Sequence, residues 1–113
     1  MAEALDLTEA VYKVTRENTF GRDFGLINQI QRASVSIASN ISEGDERMTN
    51  KESIYFFNVA KGSAAEVITH LHIAYRIGYL NQDTFRELEN KTDKIGATLN
   101  SLIRARQNHR NKN

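Results

Sequence analysis

Ile27, Ile30, Ser34, Ile37 and Ile41 recur at alternating spacings of three and four, and no proline occurs anywhere in the 113-residue chain. That spacing is one face of an α-helix, and a chain without proline has nothing that forces its helices to break. From Gly25 to Ser42 the only charged residue is Arg32. A second stripe, Gln29, Arg32, Ser36, Asn40 and Glu43, lies on the side of this helix away from the first. A solvated helix face usually carries long Lys and Glu side chains, whereas short or uncharged polar groups leave room for another backbone to approach. The second stripe therefore predicts an assembly face, with another copy of the chain as its partner.

The length allows one hydrophobic core and one domain. Hydrophobic content of 40% with 26% charged residues is that of an ordinary globular protein. No apolar run has the length of a spanning helix and Met1-Ala2-Glu3-Ala4 starts no signal peptide, so the expected location is the cytoplasm, with no membrane partner. The absence of cysteine excludes disulfides, thiolate chemistry and Cys-based zinc sites. Charge is uneven. Arg104, Arg106, Arg110 and Lys112 gather at the C-terminus while the whole chain carries only +1, so the body is mildly acidic and the tail basic. A polyanion would meet the tail first.

A first helix is predicted over about 3–17, with Ala4, Leu7, Val11 and Val14 at core spacing. The link 18–25 holds two glycines and interrupts the pattern, and Phe20 and Phe24 are expected to fold back over that end of the core. The second helix is the stretch already described, with Gly44 as its left-handed C-terminal cap. Thr49-Asn50-Lys51-Glu52 has the form of a capping box and opens the third helix. Ile54, Phe57, Ala60, Ala64, Val67, Leu71 and Ala74 run along it to a stop at Gly78. A mid-helix glycine costs ~1 kcal/mol relative to alanine, so Gly62 is expected to mark a close helix–helix contact. Tyr55, Phe56, Val59, Ile68, Tyr75 and Ile77 are more apolar positions than one core stripe needs, which again points to burial between subunits. Asn81 can cap a fourth helix with the seam Phe85, Leu88, Thr92, Ile95, Leu99 and Leu102, ending near Arg106. The predicted fold is all-α, an antiparallel up-down-up-down four-helix bundle over 1–106, followed by a basic disordered tail over 107–113.

Chemistry is harder to find. A carboxylate-bridged metal pair in a bundle needs a Glu from each of two helices and Glu-x-x-His from each of the others. Here Glu66 and His70 are four apart, the first helix has no histidine, and the second has only Glu43 near its end. Glu66 and His70 read as a helix-surface contact. The serines of the second helix have no histidine on the same element and no nucleophile elbow, and read as small residues bonding their own backbone. There is no phosphate-loop glycine pattern. The sequence thus predicts no enzyme, no metal and no cofactor. For the tail, with Arg104, Arg106, Arg110 and Lys112, two readings stay open: salt-sensitive binding of RNA or DNA, and a solubilising segment beside the acidic turn at Glu43, Asp45 and Glu46. In a ring of copies, avidity would favour the first.

Gly25-Leu26, Gln29, Arg32-Ala33, Ser36-Ile37, Asn40-Ile41 and Glu43-Gly44, followed by Ala60-Lys61-Gly62-Ser63 and Glu66, resemble the motif set of the bacterial 23S ribosomal-RNA intervening-sequence proteins. The resemblance spreads over about 5–79; Gln31, Ser42, Lys61 and Gly21 stand where Arg, Ala, Arg and Pro are usual. It implies a cytoplasmic helix bundle that assembles as a homopentamer, with nucleic-acid binding the usual functional suggestion. A related group, the accessory proteins of diversity-generating retroelements, implies an alternative role as scaffold for a reverse transcriptase. The acidic body of this chain fits that alternative less well.

Overall fold

The computed structural model describes the backbone of residues 1–111 and the side chains through residue 108. It contains four α-helices, α1 (Ala2–Thr15), α2 (Phe24–Glu46), α3 (Asn50–Arg76) and α4 (Gln82–Asn111), with one 3₁₀ turn at Asn18–Phe20. Each helix packs on the next and α4 closes on α1, which is the neighbour pattern of an up-down-up-down bundle. The molecule is a rod measuring 53 × 21 × 19 Å. Its long dimension follows from α3 and α4, of 27 and 30 residues, at 1.5 Å rise per residue.

The core is built from the expected stripes. Leu7 and Val11 of α1, Ile30 and Ile37 of α2, Phe57, Val67 and Leu71 of α3, and Ile95 and Leu99 of α4 are all buried. Hydroxyls in this interior find partners: Ser34 donates to the Gln31 carbonyl at 2.8 Å, and Thr8 donates across helices to the Ser34 carbonyl at 3.2 Å. These bonds satisfy groups that would be costly to bury alone.

The ends of the helices are chemically marked. Thr49 Oγ1 accepts from the Glu52 amide at 3.2 Å, and Asn81 Oδ1 accepts from the Thr84 amide at 2.8 Å, so both expected N-caps form. Gly78, at φ 87°, closes α3 in a Schellman motif: its N–H donates to Tyr75 O at 3.1 Å, and Tyr79 N–H donates to Ala74 O at 2.8 Å. Asp23 does two jobs at the same end of the rod. One carboxylate oxygen caps α2 through the Leu26 amide at 3.2 Å, and the other accepts from the Tyr79 hydroxyl at 2.9 Å, which raises the phenol above its ordinary range.

Four sequence expectations need correction. Gly44 does not cap α2, which continues to Glu46; it is buried inside the helix, where an added Cβ would lie 2.5 Å from Phe57 Cε1. The close contact expected at Gly62 is therefore made at Gly44, and an added Cβ at Gly62 meets nothing within 4 Å. Phe20 plugs the core as expected, but Phe24 is 64% exposed because it begins α2 on the solvent side. Finally, α4 does not stop near Arg106 but runs on to Asn111. No glycine or proline follows Arg106 to break it, and cations at a helix C-terminus are favoured by the macrodipole.

Candidate functional site

The two stripes of α2 diverge by about 140° when followed at 100° per residue, so one faces the core and the other borders α3 and solvent. Where α2 meets α3 the polar stripe becomes one wall of an open groove of about 410 Å³, lined by Gln29, Arg32, Ser36, Ser63, Glu66 and His70. The floor is a hydrogen-bonded set. Asn40 Nδ2 donates to the Ser36 carbonyl at 2.8 Å and to Ser36 Oγ at 3.1 Å, and the Ser36 and Ser63 hydroxyls pair across the helices at 2.8 Å. Small residues at 36 and 63 allow that approach.

The five predicted assembly residues thus divide. Ser36 is half-buried and bonds across to Ser63 of α3, Asn40 is half-buried and bonds back to Ser36 within α2, and Gln29, Arg32 and Glu43 stay exposed. Glu43 is held locally by an ion pair with Arg47, whose guanidinium also stacks over the Phe56 ring at 4.5 Å. Arg32 makes no ion pair or hydrogen bond among the described residues, and neither does the Glu66 side chain.

His70 is not the surface residue its spacing from Glu66 suggested. It is 9% exposed, and its Nδ1 is buried without a hydrogen-bond partner. Burial pushes the imidazole below its ordinary 6.5, with Glu66 opposing. A neutral ring keeping a bare nitrogen lone pair inside is the cheaper state, since a buried unpaired N–H⁺ would cost more. The signal was present: His70 lies one turn from Val67 and Ala74 and two turns from Ser63, on the flank of the core stripe. His72, two residues on, faces α4 instead, with Nε2 3.1 Å from Glu89 and its ring against Phe85.

Beside the groove, α3 presents a continuous outward stripe. Tyr55, Val59, Gly62, Glu66, Thr69, Ile73 and Ile77 follow at spacings of three and four, and all are exposed. The apolar members are large, with Tyr55 at 63%, Ile73 at 43% and Ile77 at 52% exposure. These were among the surplus apolar positions of the sequence, with Ile73 added.

Of the basic residues of the C-terminus, the two whose side chains are described, Arg104 and Arg106, are not brought together. Arg104 is exposed and bonds to Ser101 at 3.4 Å, whereas Arg106, about 200° away around the helix, donates to Asn50 Oδ1 at 3.1 Å and staples α4 to the start of α3. The side chain of Arg110 and all of Lys112 lie outside the described residues. Among the described residues there is no group of three or more His, Asp or Glu placed to hold a metal, and no helix long and apolar enough to cross a membrane.

The architecture is that of a solved structure, a protein of unknown function from the S23 ribosomal protein family of Bacteroides thetaiotaomicron VPI-5482. The two superpose with a TM-score of 0.85 at 22% identity, over 90% of this chain and 95% of that one. No curated protein matches the sequence. The family model described as 23S rRNA-intervening sequence protein matches residues 1–101, a span that includes the residues lining the groove. The chain belongs to the 23S rRNA-intervening sequence protein family.

Proposed function

We propose that this protein is a non-enzymatic building block that assembles with copies of itself through the α2–α3 face, in the five-membered ring that the motif resemblance implies. The observation that carries the reading is the exposed stripe on α3. Apolar side chains on one outward helix face are a seam for a second helix, and among the described residues Tyr55, Val59, Ile73 and Ile77 are left 36–63% exposed. The open space over Gly62 admits a neighbouring backbone, which gives this mid-helix glycine the role it lacks inside the monomer. The polar stripe of α2 continues the same face. Nucleic-acid binding by the C-terminus has less geometric support, because Arg104 and Arg106 point to different sides and Arg106 is engaged within the bundle.

Replacing Val59 and Ile73 together by lysine tests the assembly reading, since both side chains are exposed and their loss leaves the core intact. The variant is expected to keep its helical circular dichroism and to fall to the mass of one chain in light scattering. A variant with the mass of the unaltered protein would remove the α3 stripe from the interface.

A further inference from the structure

Glu66 sits at the centre of the outward α3 stripe, flanked by Gly62 and Thr69, with Val59 and Ile73 two turns away on either side. On a face that becomes covered, an uncompensated carboxylate is strongly unfavourable, so this position requires a cation once the stripe is buried. The cation bordering the same groove is Arg32, on the α2 wall. Within one chain the two side chains line the same groove without pairing. Two opposite charges on one face, each without a partner, make that face electrostatically complementary to a copy of itself.

We infer that Arg32 of one copy pairs with Glu66 of its neighbour, so that each groove is completed by a side chain from the adjacent subunit. The inference rests on the assembly reading above and names the contact that fixes its register. Two arrangements satisfy it. About a two-fold axis both pairs form at one interface; in a closed ring with the α2–α3 faces turned to the axis, α2 of each copy follows α3 of the next and one pair forms per interface. A planar guanidinium binding a carboxylate in two-pronged fashion also sets orientation, which lysine would not reproduce. The hydroxyls of Ser36 and Ser63 are already paired on the groove floor and do not compete for the incoming carboxylate.

The deciding experiment is trans-complementation between charge reversals. Arg32→Glu leaves two acids on the face and Glu66→Arg leaves two arginines, so each variant alone should run as a single chain. Mixed in equal amounts, with an affinity tag on one, they should co-elute in species larger than one chain, although a ring of five cannot alternate two variants throughout and keeps one like-charged interface; the double variant Arg32→Glu/Glu66→Arg should recover the full assembled mass alone. Both residues are exposed, and unchanged helical circular dichroism checks that the variants fold. Recovery in the double variant without co-elution of the mixture would place the pair within one chain and overturn the inference, as would full assembly of either single variant. An unaltered protein that is itself monomeric would instead remove the assembly reading, and this inference with it.

Discussion

An added Cβ at Gly44 would lie 2.5 Å from the buried ring of Phe57, whereas at Gly96, also inside a helix, it would meet nothing within 4 Å. Alanine is normally the better helix former by ~1 kcal/mol. At Gly96 that preference should act alone, and Gly96→Ala is expected to stabilise the protein by about 0.5–1 kcal/mol. At Gly44 the ring belongs to the packed core and cannot swing away, so overpacking should reverse the sign and destabilise by about 1–3 kcal/mol. Urea midpoints at one protein concentration check both; a raised midpoint in Gly44→Ala would refute the close contact. His70 supplies a second prediction at this scale. Its folded-state pKa is lowered from 6.5, so below that value the unfolded chain binds the proton more readily than the native one. Its contribution to stability is complete above pH 6.5 and is lost as pH falls from there through the lowered folded value. Replacement by Gln, which does not titrate, should flatten that part of the stability profile, and an unchanged difference between about pH 7 and about pH 5 would count against a buried neutral imidazole.

At the scale of elements, the four helices were legible because each carries an apolar stripe at three-four spacing between recognisable ends, such as Thr49, Gly78 and Asn81. Local chemistry determines these features, and local chemistry is what a sequence displays. Gly44 was misread because its position after the Ile41 stripe imitates a C-cap, and only the Phe57 ring, on the following helix, reveals what the missing Cβ makes room for. Gly62 was misread for the converse reason. The space beside it is open within one chain, and the neighbour that would fill it belongs to the proposed assembly. The end of α4 was misread because a segment without apolar anchors lacks the signal that marks packed helices, although nothing in it breaks one. The groove was half legible. Its α2 wall stood out as an unusual polar stripe, but Ser63, Glu66 and His70 were scattered among core residues of α3, and only the helix pairing gathers them.

For the molecule as a whole, the rod-like bundle has a covered core and an uncovered side. The core stripes of all four helices are covered, yet α3 turns Tyr55, Val59, Ile73 and Ile77 outward beside unpaired Arg32 and Glu66. Both features concern the same face, and the proposed self-association would account for them together. It also accounts for a glycine in the middle of the longest stretch of that face. Light scattering on a size-exclusion column, on the unaltered protein over a range of dilutions, tests this most directly. The account predicts a mass several times that of the 12.8 kDa chain, falling only on strong dilution. A mass of one chain at every concentration would contradict it.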